Sequence, residues 1–257
     1  MVTKVAIDAG HGRDGDPGAV GPSGLQEADV TLRLADFLER ELKPSGMTVF
    51  RLDRDLVSSQ RAQVAAQNGC DLLLSLHCNA GGPSARGAEV WFGHGNAAGK
   101  DLARCLWDPL LAETKVVSRG IKDDGDWRPA VDPGWTGGMG VLRGFPGPAV
   151  LVELLFLSNP EEEAMLADSG FLIQAAKALG RGVVSFCGTL TQPVFPDVPP
   201  DLWNGQAGQI LQTLVDRGIF VGYEDGSFHP HQPITRLECA AAIYRALALL
   251  GAAKGNP

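Results

Sequence analysis

The sequence predicts an α/β protein: a layered α/β/α domain on a mostly parallel, twisted sheet, followed by a small α-helical C-terminal domain. Three observations carry this. Short apolar runs alternate with amphipathic helical segments through residues 3–187, the order that builds a parallel sheet with helices on its faces. Two of the runs, "DLLLSLHCN" (71–79) and "AVLVELLFL" (149–157), are almost continuously apolar, as strands buried on both faces are. After Gly188 the alternation gives way to the proline-rich "GTLTQPVFPDVPPD" and a region with only two helical patterns. The expected organisation is therefore a domain over 1–188, a linker over 189–194 and a small domain over 195–257.

Taken in order, "TKVAI" (3–7) reads as a strand. The chain then loses all periodicity in "GHGRDGDPGAVGPSGLQE", up to Glu27. A loop so rich in Gly can follow nearly any path, and such paths serve to place something. Here the placed residues are His11 and Glu27. "EADVTLRLADFLEREL" (27–42) carries Val30, Leu34, Phe37, Leu38 and Leu42 at helical spacing and stops at Pro44 and Gly46. "TVFRL" (48–52) is a strand, and Ser58 or Ser59 caps the helix "QRAQVAAQN" (60–68), which Gly69 ends. The apolar run 71–79 is a strand ending near His77, "AAGKDLARCLWDPLLAE" (97–113) a helix, and 149–157 a second buried strand. Asn159 and Pro160 then open a helix with Glu161, Glu162 and Glu163 in its first turn, where the dipole favours acids. In the tail, Ile210, Leu211, Leu214 and Val215 mark one helix, and Thr235 with Glu238 forms a capping box for another. Between them "GYEDGSFHPHQPI" (222–234) is a loop of turn residues and aromatics.

Composition removes several classes. The net charge is −8, with 18 basic against 24 acidic residues through Leu190 and 4 against 6 beyond it, so neither part has the positive field nucleic acid requires. No apolar run approaches the length of a membrane span, and the N-terminus runs straight into a strand. The expectation is synthesis in the cytoplasm without a signal peptide. Five scattered cysteines with no CxxC pair give neither a disulfide framework nor a cysteine zinc site, and are expected to be free core thiols. Neither a GxGxxG spacing leading into a helix nor a GxSxG elbow is present.

His11 follows the first strand and His77 ends the run "LLLSLH". Ligands of open α/β sheets bind outside the carboxyl ends of the strands, so both histidines can face one crevice, with Glu27 opening the helix that returns from it. Two His and one Glu form a catalytic zinc set with a fourth position open. Each residue alone also has a structural reading: a strand-end histidine, or a glutamate serving the helix dipole. Glu153 sits in the middle of nine otherwise apolar residues. Burying an unpaired charge costs several kcal/mol, so this group is paired, protonated, employed near a metal, or turned outward on an edge strand. Near zinc it would serve as general base and acid in amide hydrolysis. Cys78 cannot face a metal that His77 faces, because strand neighbours alternate. His94, in the turn "FGHGN", is expected at the surface.

"IDAGHGRDGDPGAVGPSGLQE", "QRAQVAAQNGCDLLLSLHCNA" and "GPAVLVELLFLSNPEEEAML" resemble the successive motifs of the zinc-dependent N-acetylmuramoyl-L-alanine amidases of type 3, over about residues 3–187. The resemblance implies one zinc ion per chain held by His11, Glu27 and His77, with Glu153 as catalytic carboxylate. It also implies hydrolysis of the amide joining the lactyl group of N-acetylmuramic acid to the L-alanine of the peptidoglycan stem peptide. The stretch 123–140 is longer and richer in Gly and Trp than the family pattern. Its Trp127 and Trp135 offer aromatic faces to sugar rings or peptide side chains, or else plug a long loop.

The tail from Phe195 to Leu247, with "GYEDGSFHP" and "ITRLE", resembles a single S-layer homology (SLH) repeat. That implies binding of a secondary cell-wall polysaccharide, with Arg236 on an anionic glycan, or else Arg236 pairs with an acid at its helix start. The family usually carries three repeats; a single repeat of this size is expected to be marginal alone and either to pack on the first domain or to associate with copies from other chains as a homo-oligomer. The expected whole is a wall-cutting amidase that acts on peptidoglycan after release from the cytoplasm, as a phage endolysin or a mother-cell lysin does. The alternatives are a zinc carboxypeptidase, with Arg143 as a carboxylate clamp, and a catalytically idle wall-binding protein.

Overall fold

A computed structural model describes residues 3–126, 137–188, 195, 197–198, 211, 214–215, 217–223 and 225–249. The chain divides into two compact units, Met1–Cys187 and Gly188–Pro257.

The first unit is the expected α/β/α layer. Strands β1 (Lys4–Ala9), β2 (Thr48–Arg51), β3 (Leu72–Asn79), β4 (Ala88–Phe92), β5 (Ser118–Asp123) and β6 (Ala149–Phe156) form one sheet in the order β2-β1-β3-β6-β4-β5. Every neighbouring pair is parallel except β4 against β6. The two apolar runs, β3 and β6, lie side by side at the centre, which is why both of their faces are apolar. Leu72, Leu74 and Leu76 of β3 and Val150, Val152 and Leu154 of β6 enter the larger core. That core is closed by α1 (Glu27–Leu42), α3 (Ala97–Thr114) and α6 (Ser169–Cys187). Leu73, Ala149 and Leu151 enter the smaller core on the opposite face, with side chains of α2 (Ser58–Gln67) and α4 (Gly140–Arg143).

Helix α1 buries Val30, Leu34, Leu38 and Leu42, and closes through a 3-10 turn containing Pro44. Helix α5 (Pro160–Ala167) is capped by Asn159, whose side chain accepts from the amides of Glu161 and Glu162. No helix among the described residues is long and apolar enough to cross a membrane.

Several expectations need correction. Ser58 and Ser59 do not cap α2. The helix begins at Ser58 itself, Val57 holds the cap position, and Gln60 Oε1 accepts from the Val57 amide at 3.1 Å. The cysteines are free, but only Cys78 is buried, and Cys239 is exposed on a tail helix. Strands β4 and β5 have no counterpart among the sequence-predicted elements.

In the second unit, Phe195, Val198 and Leu211 form a small core joined by Val215 and Phe228. Helix α7 (Arg236–Leu249) starts at the expected capping box: the Glu238 amide donates to Thr235 Oγ1 at 3.2 Å, and Glu238 Oε2 accepts from the Thr235 amide at 2.8 Å. The linker 189–194, Ile210, Trp127 and Trp135 lie outside the described residues.

Candidate active site

The site is built where β1 and β3 end. Beyond Ala9 the chain turns so sharply that His11 takes a positive φ of 63°, uncommon for a residue with a side chain. Side chains from elsewhere hold it there. Arg54 Nε and Arg61 Nη2 donate to the His11 carbonyl at 3.2 and 3.3 Å. Arg61 is buried and also donates to Asp8 Oδ1 at 2.8 Å, while Ser75 Oγ donates to Asp8 Oδ2 at 2.7 Å.

Glu27, the first residue of α1, is buried at 3% exposure. Its Oε2 accepts from the Ala19 amide at 2.9 Å and lies 3.2 Å from His11 Nε2. Its Oε1 accepts from the Cys78 amide at 2.9 Å and lies 3.0 Å from His77 Nδ1. One ligand atom from each of His11, Glu27 and His77 falls within 4.8 Å of the others. Asp16 Oδ2 sits 2.8 Å from His11 Nδ1 and turns the opposite ring nitrogen toward Glu27. Cys78 points instead into the larger core.

Two glycines of the loop are required by this crowding. A Cβ at Gly10 would stand 2.4 Å from the His77 ring, and one at Gly18 would stand 2.6 Å from Glu27 Oε2 and 2.7 Å from the His11 ring.

The electrostatics follow from one carboxylate between two imidazoles. Burial alone would raise the Glu27 pKa, but hydrogen bonds from His11 and His77 outweigh it and hold the carboxyl well below the usual range. The hydrogen bond to Glu27 pushes His11 up to about 9 against the opposing effect of burial. Burial also acts to lower His77, and the hydrogen bond with Glu27 reverses this.

Glu153 is the register partner of His77 across β3 and β6, so the two side chains share a face. β6 is a central strand, which removes the outward-facing, edge-strand reading. Among the described residues, Glu153 Oε2 is the buried side-chain polar atom without a hydrogen-bond partner. Burial pushes its carboxyl up to about 7, opposed by His77 and assisted by Glu27 and Glu89.

The other candidates lie elsewhere. His94 is exposed, with Nδ1 3.0 Å from Asp123. Arg143 Nε is bound 3.0 Å from Oδ2 of the fully buried Asp124, so its guanidinium is committed to that carboxylate. Arg236 is exposed in the first turn of α7, and the nearby Glu238 carboxylate is occupied by Thr235.

Sequence reading missed the groups behind the site: Asp8 and Arg61, the acid Glu89 on β4, and Glu162 and Glu163. The two acids of α5 are more than dipole partners. Glu162 accepts from the amides of Gly87 and Phe156 at 2.8 and 2.7 Å, and Glu163 accepts from the Ser23 amide and hydroxyl at 2.9 and 2.7 Å. Their one legible signal was three consecutive acids beside a helix cap.

A family model described as N-acetylmuramoyl-L-alanine amidase matches residues 5–185, and one described as S-layer homology domain matches residues 194–240. The chain is 32% identical over 188 residues to the N-acetylmuramoyl-L-alanine amidase LytC of Bacillus subtilis, covering 71% of this chain and 35% of that protein. It is 30% identical over 192 residues to the endolysin of Bacillus phage SPP1, covering 71% of this chain and 65% of that one. It thus spans about a third and just under two thirds of these relatives' lengths. The solved catalytic domain of CwlV, an N-acetylmuramoyl-L-alanine amidase from Bacillus (Paenibacillus) polymyxa var. colistinus, matches with a TM-score of 0.64 at 30% identity, covering 73% of this chain and 99% of that domain.

Proposed function

The chain belongs to the N-acetylmuramoyl-L-alanine amidase family, and from that premise we propose that its first unit hydrolyses the amide between the lactyl group of N-acetylmuramic acid and the L-alanine of the stem peptide. The observation that carries the reading is the pairing of Glu153, with its partnerless buried Oε2, against the His11, Glu27 and His77 cluster one strand away.

The donor set suits zinc. Two imidazole nitrogens and one carboxylate, within 4.8 Å of one another, match the three-ligand pattern of catalytic zinc sites. Asp16 behind His11 is the orienting partner such a ligand ordinarily has. A zinc ion held by His11, Glu27 and His77 would supply Lewis acidity to activate water and polarise the amide. The protein's own part is proton handling and placement. Glu153 accepts a proton from the attacking water at Oε2 and returns it to the departing alanine nitrogen. Arg61, Arg54 and Asp8 keep the His11 loop from relaxing out of position.

The test is product analysis on purified peptidoglycan. New amino groups on alanine without new reducing sugars mark the amidase, loss of terminal amino acids marks a carboxypeptidase, and no release marks an idle binder. The commitment of Arg143 to Asp124 disfavours the carboxypeptidase. His77→Ala is expected to lose both metal and activity. Glu153→Gln is expected to keep metal and fold while turnover drops by about 10²- to 10⁴-fold. Full metal content in His77→Ala, or parental turnover in Glu153→Gln, would overturn these roles.

For the tail, the reading is attachment to an anionic secondary cell-wall polysaccharide through the exposed Arg236. The similarity to a phage endolysin favours a lytic role for the whole.

A further inference from the structure

We propose that Arg119 and Lys122, fixed on the buried Glu89, form a carboxylate-binding subsite for the stem peptide, one strand beyond Glu153. The inference rests on the amidase reading and adds the side of the site on which the peptide lies.

Glu89 on β4 is the register partner of Glu153 on β6, and Glu153 is that of His77 on β3. The three side chains therefore form a row on one face of the sheet. Glu89 is 4% exposed and both of its oxygens are occupied. Oε1 accepts from Asn79 Nδ2 at 2.9 Å and Trp91 Nε1 at 3.0 Å, and Oε2 accepts from Arg119 Nε at 2.7 Å and Lys122 Nζ at 2.6 Å.

One cation would balance this carboxylate, and the structure provides two. The group carries a surplus positive charge, with the Nη groups of Arg119 and two ammonium protons of Lys122 left to donate. The side chains are 37% and 30% exposed. Both are also held in place: the Arg119 guanidinium lies 4.7 Å over the Phe156 ring and the Lys122 ammonium 5.0 Å over the Trp91 ring. An ordered fork and an ordered ammonium with spare donors are what a carboxylate ligand needs.

The spacing fits a stem peptide. Neighbouring strands lie ~4.8 Å apart, which places Glu89 about 10 Å across the sheet from His77, with Arg119 and Lys122 bound to its Oε2. An extended chain advances ~3.4 Å per residue. The carboxylate of the acidic residue after alanine then lies about 7 Å from the scissile nitrogen, within reach of Lys122 or Arg119. Where that carboxylate is amidated, the surplus charge finds no partner.

The experiment compares two muropeptides that differ only in whether this carboxylate is free or amidated. Affinity is read by calorimetry in a Glu153→Gln background, which preserves the ligand, and turnover is read with the parental enzyme. Tighter binding of the free acid is expected, and Lys122→Met or Arg119→Gln should each cut that preference by about tenfold, as loss of a charged hydrogen bond does. Lys122→Arg should restore most of it. Each single variant leaves Glu89 one cation, so neither strands the buried carboxylate. Equal binding of both muropeptides, or a preference unchanged in both variants, overturns the subsite while parental turnover leaves the amidase reading standing. No amine release from either muropeptide by the parental enzyme overturns the amidase reading and the subsite with it.

Discussion

Arg61 shows how much of the site depends on one side chain outside it. Its guanidinium spends all five of its N–H donors on Asp8 Oδ1 and the carbonyls of Ala9, His11, Arg54 and Leu56, at 2.7 to 3.3 Å. Arg61→Met leaves Asp8 charged and buried, and is expected to cost about 3–5 kcal/mol, read as a fall in denaturant midpoint. Arg61→Lys should restore little, because an ammonium cannot span that fork. Glu153 gives a prediction of opposite sign. Its carboxyl rises from the usual 4.5 to about 7 in the folded protein, so the native state holds this proton more tightly than the unfolded chain does. That contribution is complete below pH 4.5 and is lost as the pH rises through about 7. In metal-free protein, Glu153→Gln should therefore be roughly 3 kcal/mol more stable than the parent at pH 8, with the gap closing by pH 4. A gap that is constant across this range would show that Glu153 does not titrate as a desolvated acid.

The elements legible in the sequence were those whose pattern is local. β3 and β6 are continuous apolar runs because they are central, and α1 carries a full helical stripe because one face meets the sheet. β4 and β5 were illegible for the converse reason. In "AEVWF" the acid Glu89 interrupts the apolar pattern, and "SRGIKD" has one large apolar residue, Ile121, because β5 itself carries the partly exposed cations Arg119 and Lys122 that pair with Glu89. The same distinction applies within the site. His11, Glu27 and His77 stand at element ends that the sequence marks, whereas Asp8 and Arg61 find each other across 53 residues and Glu89 and Arg119 across 30. Helix α5 shows such a long-range pairing at work. Burial would raise the Glu163 carboxyl, but hydrogen bonds from Ser23 and the Leu25 amide outweigh this and hold it below the usual range. Its pinning of the loop is thus present above the ordinary carboxylate range and is lost as the pH falls through the depressed value. Glu163→Gln should lower the protection of the Ser23 and Leu25 amides against hydrogen exchange at pH 7, and acid should do the same to the parent but not further to the variant. Equal protection in both proteins at pH 7 would dismiss the pin.

At the scale of the whole chain, the two units differ in how well each can stand alone. Both large cores are drawn from residues within 5–183, inside the first unit. Among the described residues of the second unit, Phe195, Val198 and Leu211 form the buried core cluster. A unit of this size buries only about 60% of its unfolded surface. It also leaves large apolar side chains exposed: Leu237 at 81%, Val221 at 68%, Tyr244 at 64% and Ile243 at 55%. Surface of this kind on a marginal unit calls for a partner, and a second copy of the same repeat presents a matching face. Truncation after Leu190 should therefore leave a protein with an unchanged thermal midpoint that cleaves soluble muropeptides, sediments poorly with whole walls and runs as a monomer. The full chain should scatter light as an oligomer, and Leu237→Glu should return it to a monomer without altering its metal content. Identical monomeric masses for the full chain and the truncation would refute self-association, and equal wall sedimentation of the two would refute the binding role of the repeat.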